Sequence, residues 1–71
     1  MPKLYSSREI AKVLKKHGFT FVSQKGSHGK FRKQEPEKTL TTIVPMGKRE
    51  IPHGTFRSIL RQSNLKQEDF T

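Results

Sequence analysis

The sequence predicts an α+β fold in which one helix, three antiparallel strands and a second helix follow one another, with both helices on one face of the sheet. Three observations predict it. Apolar residues recur with a helical period over residues 10–17 and 56–60, and with a period of two from residue 19 onwards. Glycine, proline and asparagine stand between these segments, as is typical of turns. A sheet of this kind can leave its second face open to a ligand.

The first helix is predicted over residues 7–17. Ser6 and Glu9 form an S-x-x-E capping box, in which the hydroxyl accepts from the Glu9 amide while the carboxylate reaches back. An apolar stripe at helical spacing follows, made of Ile10, Val13, Leu14 and His17. Gly18 supplies the left-handed stop. His17 is expected to pack at the end of this stripe and not to act in catalysis.

The first two strands are predicted to form a hairpin. In the first strand, alternation places Phe19 and Phe21 on one side; the other side carries Thr20, Val22 and Gln24. Gly26-Ser27 fits the centre of a type II′ turn, because glycine takes positive φ at little cost. The second strand is predicted over residues 28–33. If it is regular and Phe31 faces the core, three polar residues share its exposed side: His28, Lys30 and Arg32.

The third strand and the second helix complete the prediction. β-branched residues over 39–44 indicate a strand that ends at Pro45, and residues 46–50 form a basic loop. The second helix begins within residues 52–55 and ends at Ser63 or Asn64, where asparagine can take the left-handed position. Its buried face is predicted to comprise Phe56, Ile59 and Leu60. Residues 65–70 are expected to add one turn over the core.

The chain of 71 residues is expected to form a single domain, residues 1–71, because it is too short for a second core. It carries 15 Lys+Arg against 6 Asp+Glu, a formal net charge of +9. Such a charge favours polyanions, and nucleic acid is the usual polyanion of a cell. A merely soluble, well-charged surface is the weaker interpretation, because most acids lie in one loop and one tail: Glu35, Glu37, Glu68 and Asp69.

Neither a membrane span nor a secretion signal is expected. No apolar run approaches the roughly 20 residues that a transmembrane helix needs. The N-terminal residues lack the apolar core of a signal peptide. The chain has no cysteine, which neither requires nor excludes an oxidising compartment. A cytoplasmic location is therefore the simplest expectation.

His28 is the candidate catalytic residue. The cations Lys25, Lys30 and Arg32 surround it in the sequence, and no carboxylate lies nearby. A lone imidazole in a cationic strip suits proton transfer at a phosphodiester better than it suits metal binding. The three histidines lack ligand spacing, so neither a metal nor another cofactor is expected. Composition alone would favour another role for His28, as a turn residue that hydrogen-bonds its own backbone.

Three segments of the sequence resemble the HicA toxin family, the small ribonucleases of toxin–antitoxin pairs. The first is Ser-Ser-Arg-Glu-Ile-Ala-Lys-Val-Leu-Lys-Lys-His-Gly-Phe, residues 6–19. The second is Gly26-Ser27-His28 with Phe31 three residues later. The third is the Gly-Thr-Phe-Arg-Ser-Ile-Leu-Arg-Gln run within residues 51–63. Gly-Ser-His alone would be a weak signal, whereas all three in order cover nearly the whole chain.

The resemblance implies a fold like that of double-stranded RNA-binding domains and cleavage of messenger RNA with His28 at its centre. It also implies a HicB-type antitoxin that blocks the active face. One feature departs from the family. Many members have a histidine two residues after the proline that ends the third strand, where this chain has Gly47 within Pro45-Met46-Gly47, in a loop that looks one residue shorter. No role of that histidine is carried over, and His53 is not put in its place.

The residues permit RNA cleavage without a metal. The 2′-hydroxyl of the substrate would be the nucleophile, and His28 would take its proton. Three cations could stabilise charge on the phosphoryl oxygens: Lys25, Lys30 and Arg32. Amides of the Gly26-Ser27 turn could bind a phosphate oxygen.

Two other classes of function stay open to the sequence. The main alternative is an RNA-binding module without catalysis. Residues 26–29 also spell the G-x-x-G of KH domains, but that loop joins two helices and here it joins predicted strands. A DNA-binding helix-turn-helix is disfavoured because two closely linked helices are missing.

Overall fold

A computed structural model describes residues 3–70 of the chain and confirms the predicted α+β fold. Its elements are α1 (Ser7–Lys16), β1 (Thr20–Lys25), β2 (His28–Gln34), β3 (Thr39–Pro45), α2 (His53–Ser63) and a final 3₁₀ turn (Gln67–Phe70). The strands form one antiparallel sheet in the order β1-β2-β3. No helix within residues 3–70 has both the length and the apolar character to cross a membrane.

Helix α1 begins at the predicted capping box. The Ser6 hydroxyl accepts a hydrogen bond from the Glu9 N–H at 3.0 Å, and the Glu9 carboxylate accepts one from the Ser6 N–H, also at 3.0 Å. Lys3 Nζ lies 2.8 Å from the same carboxylate. The pKa of Glu9 is lowered, first by the hydrogen bond from Lys3 and then by that from the Ser6 backbone. Gly18, at φ +96°, turns the chain away one residue after the helix C-cap.

Both helices pack on the same face of the sheet. Phe31 of β2 and Val44 of β3 are buried on that face, and residues of α1 and α2 join them in one cluster. The cluster comprises Ile10, Ala11, Leu14, Phe19, Phe31, Val44, Ile51, Phe56, Ile59 and Phe70. Phe70 of the 3₁₀ turn packs edge-on against Phe56, with ring centroids 5.0 Å apart. The predicted turn over the core is therefore present, and Asn64 ends α2 in the predicted left-handed conformation.

Strand β1 contains a bulge that the sequence-based alternation missed. Phe21 pairs with Phe31, but the register then shifts, so that Ser23 and not Val22 pairs with Lys30. The prediction that Gln24 shares a side with Thr20 is therefore wrong, because a bulge moves every later residue to the opposite face. Phe21 lies on the helix side, where its ring packs edge-on against Phe31 at 5.4 Å.

Candidate functional site

The side of the sheet away from the helices carries the predicted site, and we call it the open face. Cross-strand neighbours lie on the same side of a sheet, so the register defines its members. They are His28, Lys30 and Arg32 on β2, Thr20, Ser23 and Lys25 on β1, and Thr41, Ile43 and Pro45 on β3. Gly29 and Phe31 are buried between the β2 members, which confirms the predicted alternation in β2.

His28 is exposed at the first position of β2, directly after the hairpin turn. Gly26 has φ +60° and Ser27 has no positive φ, as the predicted type II′ turn requires. Within residues 3–70 the imidazole makes no hydrogen bond and no salt bridge. It does not bond its own turn, so both ring nitrogens can reach a ligand.

The predicted cations lie around His28 on the open face. Lys25 is its direct partner across the hairpin. Lys30 is two residues further along β2, a separation of about 7 Å on the same side of a strand, and Arg32 follows it. Lys25 and Arg32 are exposed, Lys30 is half-buried, and none of the three forms a salt bridge with any acid in the described part of the chain. No ion pair with an acid of residues 3–70 therefore offsets the positive charge of these three side chains.

The bulge in β1 brings Lys25 to this face. A regular ladder would place Lys25 on the same side as Phe21, because the two are four residues apart. The extra residue reverses that relation, so Phe21 faces the helices while Lys25 stands opposite His28.

A set of hydrogen bonds that the sequence did not reveal anchors the hairpin, and we call it the Ser7 latch. The buried Ser7 donates its hydroxyl to the Pro45 carbonyl and accepts from the Lys48 N–H at 3.0 Å. Its own N–H donates to the Lys48 carbonyl at 3.0 Å. The Met46 N–H in turn donates to the carbonyl of Ser27 at 2.6 Å. The latch therefore ties α1 to the loop after β3, and that loop to the turn beside His28.

The close approach of Met46, in the loop after β3, explains why residue 29 is glycine. A Cβ added at Gly29 would lie 3.0 Å from both Cγ and Sδ of Met46. The buried glycine lets Met46 pack directly against β2, as glycine within a strand often does where another group approaches closely. Packing therefore explains the last glycine of the G-x-x-G run, which joins two strands as predicted. The sequence did contain a sign of this close approach, because glycine is unfavourable inside a strand unless another group packs against it.

Neither Gly47, where the chain departs from the family pattern, nor His53 belongs to the open face. Gly47 is exposed with φ +74°, and no neighbour occupies the space beside its Cα. His53 is the first residue of α2 and is half-buried. Within residues 3–70 there is no group of three or more histidine, aspartate or glutamate side chains that could hold a metal ion.

Comparison with known proteins places the chain in a family. The family model for the HicA toxin of bacterial toxin–antitoxin systems matches residues 7–65. A search of the curated proteins finds no match. Because the family match spans most of the chain, the protein belongs to the HicA toxin family. It is the toxin of such a pair, and the family implies an antitoxin partner.

Proposed function

From this membership we propose that the protein is an endoribonuclease that cleaves messenger RNA without a metal, with His28 as the catalytic residue. One observation carries the proposal: on the open face, an exposed imidazole without a hydrogen-bond partner among residues 3–70 stands among cations that form no salt bridge within that range. RNA supplies the phosphates that such a face attracts. A histidine near neutral pH supplies the proton transfer that cleavage needs.

The proposed reaction is an internal displacement at phosphorus. His28 accepts the proton of the 2′-hydroxyl, and the 2′-oxygen forms a bond to the phosphorus as the bond to the 5′-oxygen breaks. The leaving 5′-oxygen gains a proton, either from the imidazolium or from water. The products are a 2′,3′-cyclic phosphate and a 5′-hydroxyl. No oxidant, reductant or second substrate is needed, so one histidine and the RNA itself supply the reacting groups.

The cations of the open face would hold the phosphate during this step. Lys25 flanks His28 from β1, and Lys30 flanks it from β2. Both side chains can therefore approach the same phosphodiester. Arg32 lies further along β2 and suits the next phosphate of the strand. The exposed Gly26-Ser27 turn allows its backbone to approach the substrate closely, because Gly26 has no side chain. These residues stabilise charge that develops on the phosphoryl oxygens.

The antitoxin, which we propose to be of the HicB type, would block cleavage by covering the same face. An acidic surface of that partner would compete with RNA for Lys30 and Arg32. The proposal therefore predicts that substrate and inhibitor share part of one site. A cytoplasmic location follows from it, because messenger RNA is found there in bacteria.

The chemistry predicts the ends of the cleaved RNA. Purified protein incubated with messenger RNA in the presence of EDTA should still produce fragments, and these should carry 2′,3′-cyclic phosphate or 3′-phosphate ends. The ends are identified by mass spectrometry and by their resistance to enzymes that require a free 3′-hydroxyl. Strict dependence on added Mg²⁺, or fragments with 3′-hydroxyl ends, would contradict the mechanism. Bound but intact RNA would support a binding module without catalysis instead.

Charge reversal on the open face should weaken RNA binding. Lys30→Glu or Arg32→Glu is expected to lower affinity for single-stranded RNA and to reduce the salt dependence, because each lost phosphate contact removes a slope of about 0.7. The same variants should weaken antitoxin binding. Fluorescence anisotropy across a salt series measures the RNA affinity and its salt dependence, and a binding titration with the antitoxin measures the third effect.

Lys66→Glu is the matched control, since it makes the same charge change at an exposed residue after α2. Equal losses in the control and the open-face variants would show that only net charge matters. Unchanged binding of either partner by the open-face variants would show that this face is not the shared site.

A further inference from the structure

A groove of about 550 Å³ lies on the helix side of the molecule, between α1 and the loop after β3. Its rim carries four basic residues: Arg8, Lys12 and Lys15 from α1, and Lys48 from the loop. The three on α1 are four and three residues apart, so they lie in a row along one side of the helix. All four are exposed, and none forms a salt bridge with an acid among residues 3–70.

The floor of the groove is largely apolar. Ala11 and Met46 form part of it. Ser7 also lines it, but the Ser7 latch already engages both its hydroxyl and its N–H. No aromatic ring lines the groove. A ligand that fits must therefore present an apolar body to the floor and negative charge to the rim.

We infer that this groove binds an acidic, amphipathic segment of the antitoxin, as a contact additional to the open face. A helix or strand with apolar side chains on one side and Asp or Glu at its edges matches both the floor and the rim. RNA matches the rim only. Its bases would find no aromatic ring among the lining residues to stack on, and the floor that they would meet is largely apolar. That an antitoxin exists follows from family membership. Only the activity that the antitoxin blocks depends on the proposed function.

The groove and the open face lie on different sides of the sheet but meet at the hairpin. Met46 lines the groove, packs against Gly29 and donates its N–H to the carbonyl of Ser27, which precedes His28. A partner seated in the groove is thus adjacent to the catalytic end of β2. The groove would therefore add antitoxin contacts that do not overlap the RNA contacts of the open face.

The test is the double variant Lys12→Glu/Lys15→Glu. Its probes are the purified product of the reading frame adjoining the toxin gene, and a short single-stranded RNA. The control is Lys16→Glu/Lys66→Glu, which changes net charge equally at exposed residues outside the groove. Circular dichroism establishes that both variants are folded. Calorimetry should show an antitoxin affinity at least about tenfold weaker for the groove variant than for the control, because rim charges would now repel the partner.

RNA affinity and any RNA cleavage should be the same in the groove variant and the control. The wild-type complex should also form with a negative heat-capacity change, since apolar surface is buried in the groove. Loss of RNA affinity with intact antitoxin binding would overturn the inference and make the groove an RNA track. Equal effects of groove and control variants on the antitoxin would overturn it as well. If wild-type protein never cleaves RNA, the proposed function fails, but calorimetry with the antitoxin still decides the groove.

Discussion

Replacing His28 with alanine should abolish RNA cleavage and leave most of the RNA affinity intact. General acid–base catalysis by one positioned side chain contributes roughly 10²–10⁴-fold to a rate, so cleavage should fall by at least the lower figure. Binding should persist because the cations of the open face carry the salt-dependent attraction to phosphate. The His28 imidazole is exposed and makes no hydrogen bond within residues 3–70, so the substitution removes no side-chain hydrogen bond from the fold. Single-turnover cleavage and anisotropy on the same RNA measure the two properties separately.

His53→Ala provides the matched control. His53 begins α2 and does not belong to the open face, so its loss should leave cleavage near the wild-type rate. Cleavage by His28→Ala at the wild-type rate would assign the chemistry to another group. Parallel loss of binding and cleavage would instead give His28 a role in RNA affinity. A wild-type protein that binds RNA and never cuts it would be a binding module.

Replacing Phe31 with alanine should unfold a large fraction of the protein. Phe31 is 1% exposed and lies at the centre of the sheet, between β1 and β3. Truncating a buried phenylalanine costs about 3–5 kcal/mol in folding free energy. Globular proteins have only roughly 0.05–0.15 kcal/mol of stability per residue, so a chain of 71 residues has little in reserve. Urea denaturation followed by far-ultraviolet circular dichroism measures the loss.

Phe21→Ala is the control for this effect, because it removes the same side chain from the paired position across the hairpin. Phe21 is 41% exposed and contacts Phe31 through the edge of a ring. We expect a distinctly smaller loss of stability, since much of its surface stays in water in the folded protein. Similar losses in the two variants would show that the helix side of β2 is not the centre of the core.

Local signals in the sequence were sufficient for most of the fold. The box formed by Ser6 and Glu9 predicted the start of α1 because capping involves residues three apart. The alternation around Phe31 predicted which β2 residues face away from the helices because side chains in a regular strand alternate. Asn64 predicted the end of α2, since it is among the few residue types that readily take a positive φ.

The features that the sequence missed depend on contacts between distant residues. Ser7 reads as an ordinary first-turn serine, yet its partners lie about forty residues away in the loop after β3. Nothing near Ser7 in the sequence indicates those partners. The apolar floor beside Met46 likewise appears only when α1 and that loop are brought together. Composition and local sequence identified the charge and the imidazole of the candidate site but could not identify the Ser7 latch, which anchors its hairpin.

The bulge at Val22 lets the two ends of a six-residue strand meet different structural requirements. Near its start the strand places Phe21 on the helix side, and at its end it places Lys25 on the open face beside His28. A regular strand would put both residues on the same side. Val22 is 43% exposed and has no partner in the ladder, so it belongs to neither half. Substituting this residue should leave the fold intact, whereas deleting it would move either Phe21 or Lys25 to the opposite side of the sheet.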